Sequence, residues 1–318
     1  GVGLIITGYA YVRPEGKGLP RQTGIYDDAQ TSGLARIAGA IHDEGGLVIV
    51  QIVHAGGQTD PKTTGVDTVL APSAVSYGSK KDLPREMTRE EASAIVRAHG
   101  EAARRALEAG FDGVQVHAAH GYLVNRFLSP NFNRRQDQYG GSIEGRARFG
   151  IEVLEACREA IGPERLLSIK LNSDDHEEGG LSVDDAVVAA KLFAQAGADH
   201  IEVSGGTPLA GALGAVRGGI EEPSDEAYFR ANAGRVKRAV AVPVGVVGGI
   251  RSLEVAQDIV DSGDADTVSM ARPFICEPDL PKRWQQGSPE KSICESDTKC
   301  FVVGLKKGIR CAVHKGEK

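Results

Sequence analysis

No stretch of this 318-residue chain is apolar for long enough to cross a bilayer, and no basic segment leads into an apolar one at its start. A cytoplasmic protein is therefore expected, with no membrane association. Cysteine is scarce. Cys157, Cys276, Cys294, Cys300 and Cys311 form an odd set, too thin for a disulfide scaffold and suited to a reducing compartment. Positive charge is also lacking as a block: the net charge is −6, with Lys and Arg spread along the chain. That argues against a nucleic-acid surface, although a small anionic ligand can still bind locally. There is no early G-x-G-x-x-G, which disfavours a doubly wound dinucleotide fold. The Gly-rich run 205–219 has no phosphate-loop lysine and serine pair and reads as a mobile lid at most.

What is present is a regular alternation of helices and strands. Strands are expected at Gly3–Thr7, Leu47–Val53, Val114–Val116, Leu166–Leu171, His200–Val203, Pro243–Val247 and Thr267–Met270. The helices between them lie near Asp28–Glu44, Thr88–Ala109, Ser142–Ile161, Ser182–Ala196, Asp225–Val240 and Ser252–Ser262. Thr88 is an N-cap, and Glu91 three positions on completes a capping box. A long excursion, Gly56–Leu83, is expected over one face, with a short hairpin inside it. The phrases EAGFDGVQV, QAGADHIEV and DSGDADTVS repeat a helix-ending Gly, a nearby Asp and a buried strand. Such units are what β/α crossovers produce, so the expected fold is α/β, a TIM (β/α)8-type barrel with about seven strands present. One barrel domain over 1–285 and a cysteine-containing tail over 286–318 packed on it account for the length. Assembly into a homo-oligomer is compatible with this reading.

The most informative stretch is Val114–Gly141, VQVHAAHGYLVNRFLSPNFNRRQDQYGG. An apolar strand breaks directly into His117, His120 and Tyr122. Side chains at the mouth of a parallel strand sit on a stiff element and face a cleft. Two imidazoles there can converge on one substrate oxygen, and a phenol can deliver a proton. From H-x-x-H-G-Y alone, satisfied loop histidines and a packing tyrosine are an equally good reading. A zinc site is weaker, for want of a third ligand at a workable spacing.

The run H-A-A-H-G-Y-L, followed by F-L-S-P, N-x-R, D-x-Y-G-G-S and R-x-R-F, resembles the signature of the old yellow enzyme family, the FMN-dependent ene-reductases and NADH:flavin oxidoreductases. About a dozen positions agree in order, and the similarity runs from Gly1 to about Trp284. The resemblance implies FMN as cofactor and NADH or NADPH as reductant. It implies hydride transfer through the flavin to an activated alkene, an α,β-unsaturated carbonyl or nitro compound. In that scheme His117 and His120 bind the substrate oxygen and Tyr122 protonates the substrate. It also places the opening strand second in the family's barrel, so that the first strand and its helix are missing and two sheet edges are open.

Other strand ends offer a flavin site. Gln51 can donate to and accept from a pyrimidine edge, as the matching glutamine of the family does; otherwise it is a buried amide satisfied by backbone. Lys170, inside LLSIKLN, needs an anionic partner. The family sets a cation against the flavin there. A Schiff-base lyase using Lys170, or an inactive or merely flavin-binding relative, are the competing readings. Gly248, Gly249, Ala271 and Arg272 resemble the family's phosphate cradle at the last two strand ends, the recurrent barrel position. Alone, a Gly-Gly turn is a weak signal. The run Asp174–Glu178 reads as a solvated acidic turn, so no metal is expected.

In the tail, some relatives, of the 2,4-dienoyl-CoA reductase and trimethylamine dehydrogenase types, carry a four-cysteine iron–sulfur cluster begun by C-x-x-C. Here the pattern is C-x₅-C-x₁₀-C, with Asp297 at the second position. Three thiolates are a poor set for a four-iron cluster, so none is expected.

Overall fold

A computed structural model of the chain describes residues 1–76, 78 and 83–314. Its elements run in the order β1 (Ile5–Ile6), β2 (Ala10–Tyr11), α1 (Thr31–His42), β3 (Val48–Val53), α2 (Pro61–Thr64), β4 (Leu70–Ala71), β5 (Arg85–Glu86), α3 (Arg89–Glu108), β6 (Gly113–Ala118), α4 (Leu123–Leu128), α5 (Ile143–Ile161), β7 (Leu166–Asn172), α6 (Val183–Gln195), β8 (His200–Ser204), α7 (Arg230–Lys237), β9 (Val244–Val247), α8 (Leu253–Asp261), β10 (Thr267–Ser269), α9 (Arg272–Cys276), α10 (Leu280–Gln285) and α11 (Lys299–Lys307). The main sheet is parallel, in the order β1-β3-β6-β7-β8-β9-β10, with β2 pairing further along β3. Its seven positions curl as a half-barrel. Among the described residues β1 and β10 do not pair, so the sheet is open between them.

The repeated phrases explain how the strands are spaced. Gly110, Gly197 and Gly263 each take a positive φ (87°, 99° and 75°) where a helix ends, the conformation that glycine reaches without a Cβ clash. The acid that follows then ties two strands together. Asp112 accepts the N–H of Val48 at 2.8 Å, Asp199 that of Leu167 at 2.8 Å, and Asp266 that of Val244 at 2.7 Å. A basic side chain from the preceding helical region meets each acid: His42, Arg158 and Lys237. The same clamp is thus built three times at the N-terminal rim, and it fixes parallel register there.

Strands β3 and β6 are buried along their whole length, as a parallel sheet covered by helices requires. Thr88 and Glu91 form the anticipated reciprocal cap of α3. Three local expectations need correcting. The excursion after β3 contains no hairpin among its described residues: β4 and β5 pair in parallel, while 77 and 79–82 lie outside the described residues. The helix expected from Asp225 begins only at Arg230, because Pro223 opens a separate 3-10 turn and Ala227 then takes a positive φ of 52°. Between Tyr122 and Ser129, outside every expected helix, the chain coils at once into α4, whose six residues are all buried. The tail also folds back on the barrel: Arg251 donates to the Cys294 carbonyl at 2.7 Å, and Ser292 N–H to the Arg251 carbonyl at 2.8 Å.

Candidate active site

The register of the strands brings the inward-facing polar residues into two rows. Gln51, Gln115, Ser168 and His200 are successive partners across β3, β6, β7 and β8; His117, Lys170 and Glu202 form the next row. Hydrogen bonds run along and between them. Gln51 donates to Gln115 at 2.6 Å, and Gln115 donates to Ser168 and to Glu202, both at 3.1 Å. Ser168 meets His200 at 3.0 Å, and His200 meets Thr267 of β10 at 3.2 Å. Lys170 donates to Glu202 at 2.8 Å. Glu202 was not singled out from sequence. Burial pushes its carboxyl up, but Lys170, Ser269 and His200 beside it outweigh burial and hold it below the usual range.

At the C-terminal end of β6 the three signature side chains converge. The His117 ring centroid is 5.0 Å from that of His120 and 4.9 Å from that of Tyr122, both edge-on. Burial, then His120 and Lys170, holds His117 well below its ordinary pKa; burial and then Lys170 hold His120 at about 3. Both imidazoles are therefore neutral near pH 7. His117 Nδ1 accepts the Ala119 N–H at 3.2 Å, so the ring proton of the neutral form sits on Nε2, free to donate. His120 holds a positive φ of 61°, a conformation costing on the order of 1–3 kcal/mol for a residue with a Cβ. The Asn172 side chain accepts its N–H at 3.2 Å and Ser204 meets its Nε2 at 2.8 Å. Behind Asn172 stands Asp175, fully buried, bonded to Asn172, Asn125 and the Leu181 N–H. The acidic run 174–178 is thus not simply a solvated turn; one of its members supports the His120 backbone. The Tyr122 hydroxyl donates to Tyr9 at 3.1 Å. Tyr9 lies between the two short edge strands, and no sequence motif marked it.

Two cavities lie at this end of the sheet, and His120 lines the smaller of them. One, of about 400 Å³, lies in the opening between β1 and β10 and is lined by Gln51, Gln115, Lys170, Glu202 and Ala271 among others. The second, of about 210 Å³, is lined by His120, Lys170, Ser204, Gly248, Gly249, Ala271 and Arg272. Lys170 and Ala271 border both. Gly248 and Gly249 have φ of 142° and 73°, and a Cβ on Gly249 would stand 2.8 Å from the Tyr228 ring. Arg272 currently donates to the Arg217 carbonyl at 2.7 Å. Among the described residues no group of three His, Cys, Asp or Glu is placed to hold a single metal ion, and no helix is long and apolar enough to cross a membrane.

The profile of the NADH:flavin oxidoreductase / NADH oxidase family matches residues 1–291. The chain belongs to that family. Among its relatives, the NADPH dehydrogenase of Geobacillus thermodenitrificans is 37% identical over 281 residues, which are 88% of this chain and 78% of that one. The NADH oxidase of Thermoanaerobacter brockii is 37% identical over 289 residues, 90% of this chain but 44% of that protein. Among solved structures, a 2-naphthoyl-CoA reductase complex superposes with a TM-score of 0.88 at 31% identity, covering 96% of this chain and 48% of that one. The old yellow enzyme homologue of Zymomonas mobilis gives 0.75 at 31% identity, covering 92% and 82%. The family chain described here therefore spans less than half of some relatives and most of others.

The donor set fits FMN, the cofactor that membership in this flavin oxidoreductase family implies. A cation and amides face the larger cavity, two glycines with positive φ and a tyrosine ring against them follow the C-terminal end of β9, and an arginine follows β10. Gln51, Gln115 and Lys170 would hold the ring system; Gly248, Gly249, Ala271 and Arg272 would hold the phosphate.

Proposed function

We propose that this chain is an FMN-dependent reductase of activated alkenes, using NADH or NADPH. The observation that carries the reading is the meeting of His117 with His120 and Tyr122, ring to ring, where His120 lines the cavity that Lys170, Gly248, Gly249 and Arg272 also line. Bound FMN would supply two-electron hydride chemistry between the nicotinamide and the electron-poor carbon of the alkene. The chain's own residues do the rest. Neutral His117 and His120 donate to the carbonyl or nitro oxygen, where charge develops as the alkene is polarised. Tyr122 gives its proton to the adjacent carbon, and Tyr9, kept protonated because burial raises its pKa, stands ready to replace it.

The Schiff-base alternative is disfavoured because the Lys170 ammonium is bonded to buried Glu202, whereas that chemistry needs a free amine. The visible spectrum of the purified protein, with release of free FMN on heating, separates a flavin enzyme from an inactive relative. Rapid-mixing kinetics then test the roles. Tyr122→Phe should slow alkene reduction about 100-fold and leave flavin reduction by NAD(P)H at the wild-type rate. Equal loss in both half-reactions would overturn the assignment.

A further inference from the structure

Glu202 is buried inside the barrel and takes no part in the reaction proposed above. Its placement is nonetheless specific. Strand register sets it opposite Lys170 of β7, and the Lys170 ammonium donates to its Oε2 at 2.8 Å. Gln115 of β6 donates to the same oxygen at 3.1 Å, and Ser269 of β10 bonds the carboxylate as well. On β9 its register partner is Gly245, which brings no side chain. His120 and His200 also lie within reach of its charge, but burial lowers both imidazoles and keeps them neutral near pH 7. Lys170 is left as the cation that Glu202 faces.

Among the described residues, Lys170 and Glu202 are the only ionised side chains that line the larger cavity. An occupant therefore meets a cation and an anion 2.8 Å apart, not a free ammonium. That difference matters for a redox group. Hydride transfer adds one negative charge to a flavin ring, which a nearby cation favours and a nearby carboxylate opposes. Lys170 unopposed would hold the ring in its reduced form. Paired with Glu202, it loses much of that pull while its remaining N–H groups stay free to donate to the ring edge.

We propose that Glu202 is a positioning residue that holds the Lys170 ammonium and offsets its charge, so that the site favours reduced FMN only weakly and a substrate can readily reoxidise it. The inference rests on the FMN reading above. A role in packing alone would leave the redox equilibrium where it is, because Glu202 would then act on the fold and not on the charge that the ring meets.

Midpoint potentials of the FMN-loaded wild type and Glu202→Gln, each equilibrated against a reference dye at pH 8, decide it. Glutamine keeps the shape and can still accept from Lys170 through its amide oxygen, so the charge alone is removed. Reduction should become more favourable by at least about tenfold, a rise of about 30 mV for a two-electron couple. Sulfite, which adds to an oxidised flavin and leaves a negative charge on the ring, should bind at least about tenfold more tightly. Glu202→Asp, which restores a carboxylate, should bring both values back toward wild type. A potential or a sulfite affinity that is unchanged or lower in Glu202→Gln overturns the proposal. Should that variant not fold, the wild type decides: a bound FMN potential no more than about 30 mV above that of free FMN supports the offset, and a higher one refutes it. Wild-type protein that takes up no FMN removes the alkene-reductase reading and this inference together, whereas FMN held at equal potential in wild type and Glu202→Gln removes the inference alone.

Discussion

Replacing Lys170 with methionine tests the electrostatic centre of the barrel without any cofactor. The ammonium lies 2.8 Å from Glu202 Oε2, with the two side chains 13% and 3% exposed. At that separation an effective dielectric of about 20 gives an attraction of about 6 kcal/mol. Part of that is retained, because Gln115 still donates to the carboxylate and methionine recovers some packing. The expected loss is about 3 kcal/mol, the lower end of what breaking a buried pair costs. With a urea m-value of about 3 kcal/mol/M, the midpoint should fall by about 1 M. The assay is far-UV circular dichroism at pH 8, where the neighbouring imidazoles are neutral. Lys170→Met with Glu202→Gln should be more stable than Lys170→Met, because no buried charge is left alone. The pH dependence has a definite sign. In the wild type the depressed Glu202 pKa contributes stability above the unfolded carboxyl range, lost as pH falls through the folded value. In the variant, burial without the cation raises that pKa, so the stability deficit shrinks as pH falls from 8 toward 6. A midpoint shift below about 0.3 M, or a double variant no better than the single one, would refute the reasoning.

Other expectations follow from single contacts. His117→Ala with His120→Ala should weaken binding of a phenol, a mimic of the substrate oxygen, by at least about tenfold; unchanged affinity by spectral titration would remove the pair from the site. Gly249→Ala forces a Cβ into a φ of 73° and against the Tyr228 ring, so the melting temperature and the FMN retained through gel filtration should both fall, and a protein unchanged in both would contradict the packing. Thr88→Ala removes the reciprocal cap with Glu91 and should cost about 1 kcal/mol, read as a small drop in melting temperature with activity intact.

Much of this was legible wherever the deciding physics is local. The Thr88 and Glu91 cap is set by spacing within one turn, and the helix-ending glycines with their acids repeat often enough to announce β/α units. His117, His120 and Tyr122 sit within six residues of one another, so one strand end brings them together. What stayed hidden depends on register or on distant chain. Glu202 is an ordinary residue in HIEVS until β7 and β8 pair Lys170 with it. Tyr9 joins Tyr122 only because β2 docks further along β3 than β1 does. Asp175 hid inside an acidic run whose composition suggested solvent, and its burial is decided by Asn125 and Asn172 on either side. Cys276 needs α9 to fold toward the tail before it counts as a neighbour of Cys311.

The interior belt also constrains what the barrel can accept. From Gln51 through Gln115, Ser168 and His200 to Thr267 the side chains satisfy one another, and Lys170 and Glu202 cancel in charge. A simple anion entering the larger cavity would stand beside the buried Glu202 carboxylate and share its one cation, Lys170, so like-charge repulsion opposes it. A flat ligand whose edge alternates donors and acceptors meets no such penalty, because it can exchange with the Gln51 to Gln115 bond and still receive from Lys170 while Glu202 keeps its other donors. The belt therefore selects against lone charges and for an amide-like ring edge, which is the property that a pyrimidine face of a flavin has and a bare phosphate lacks.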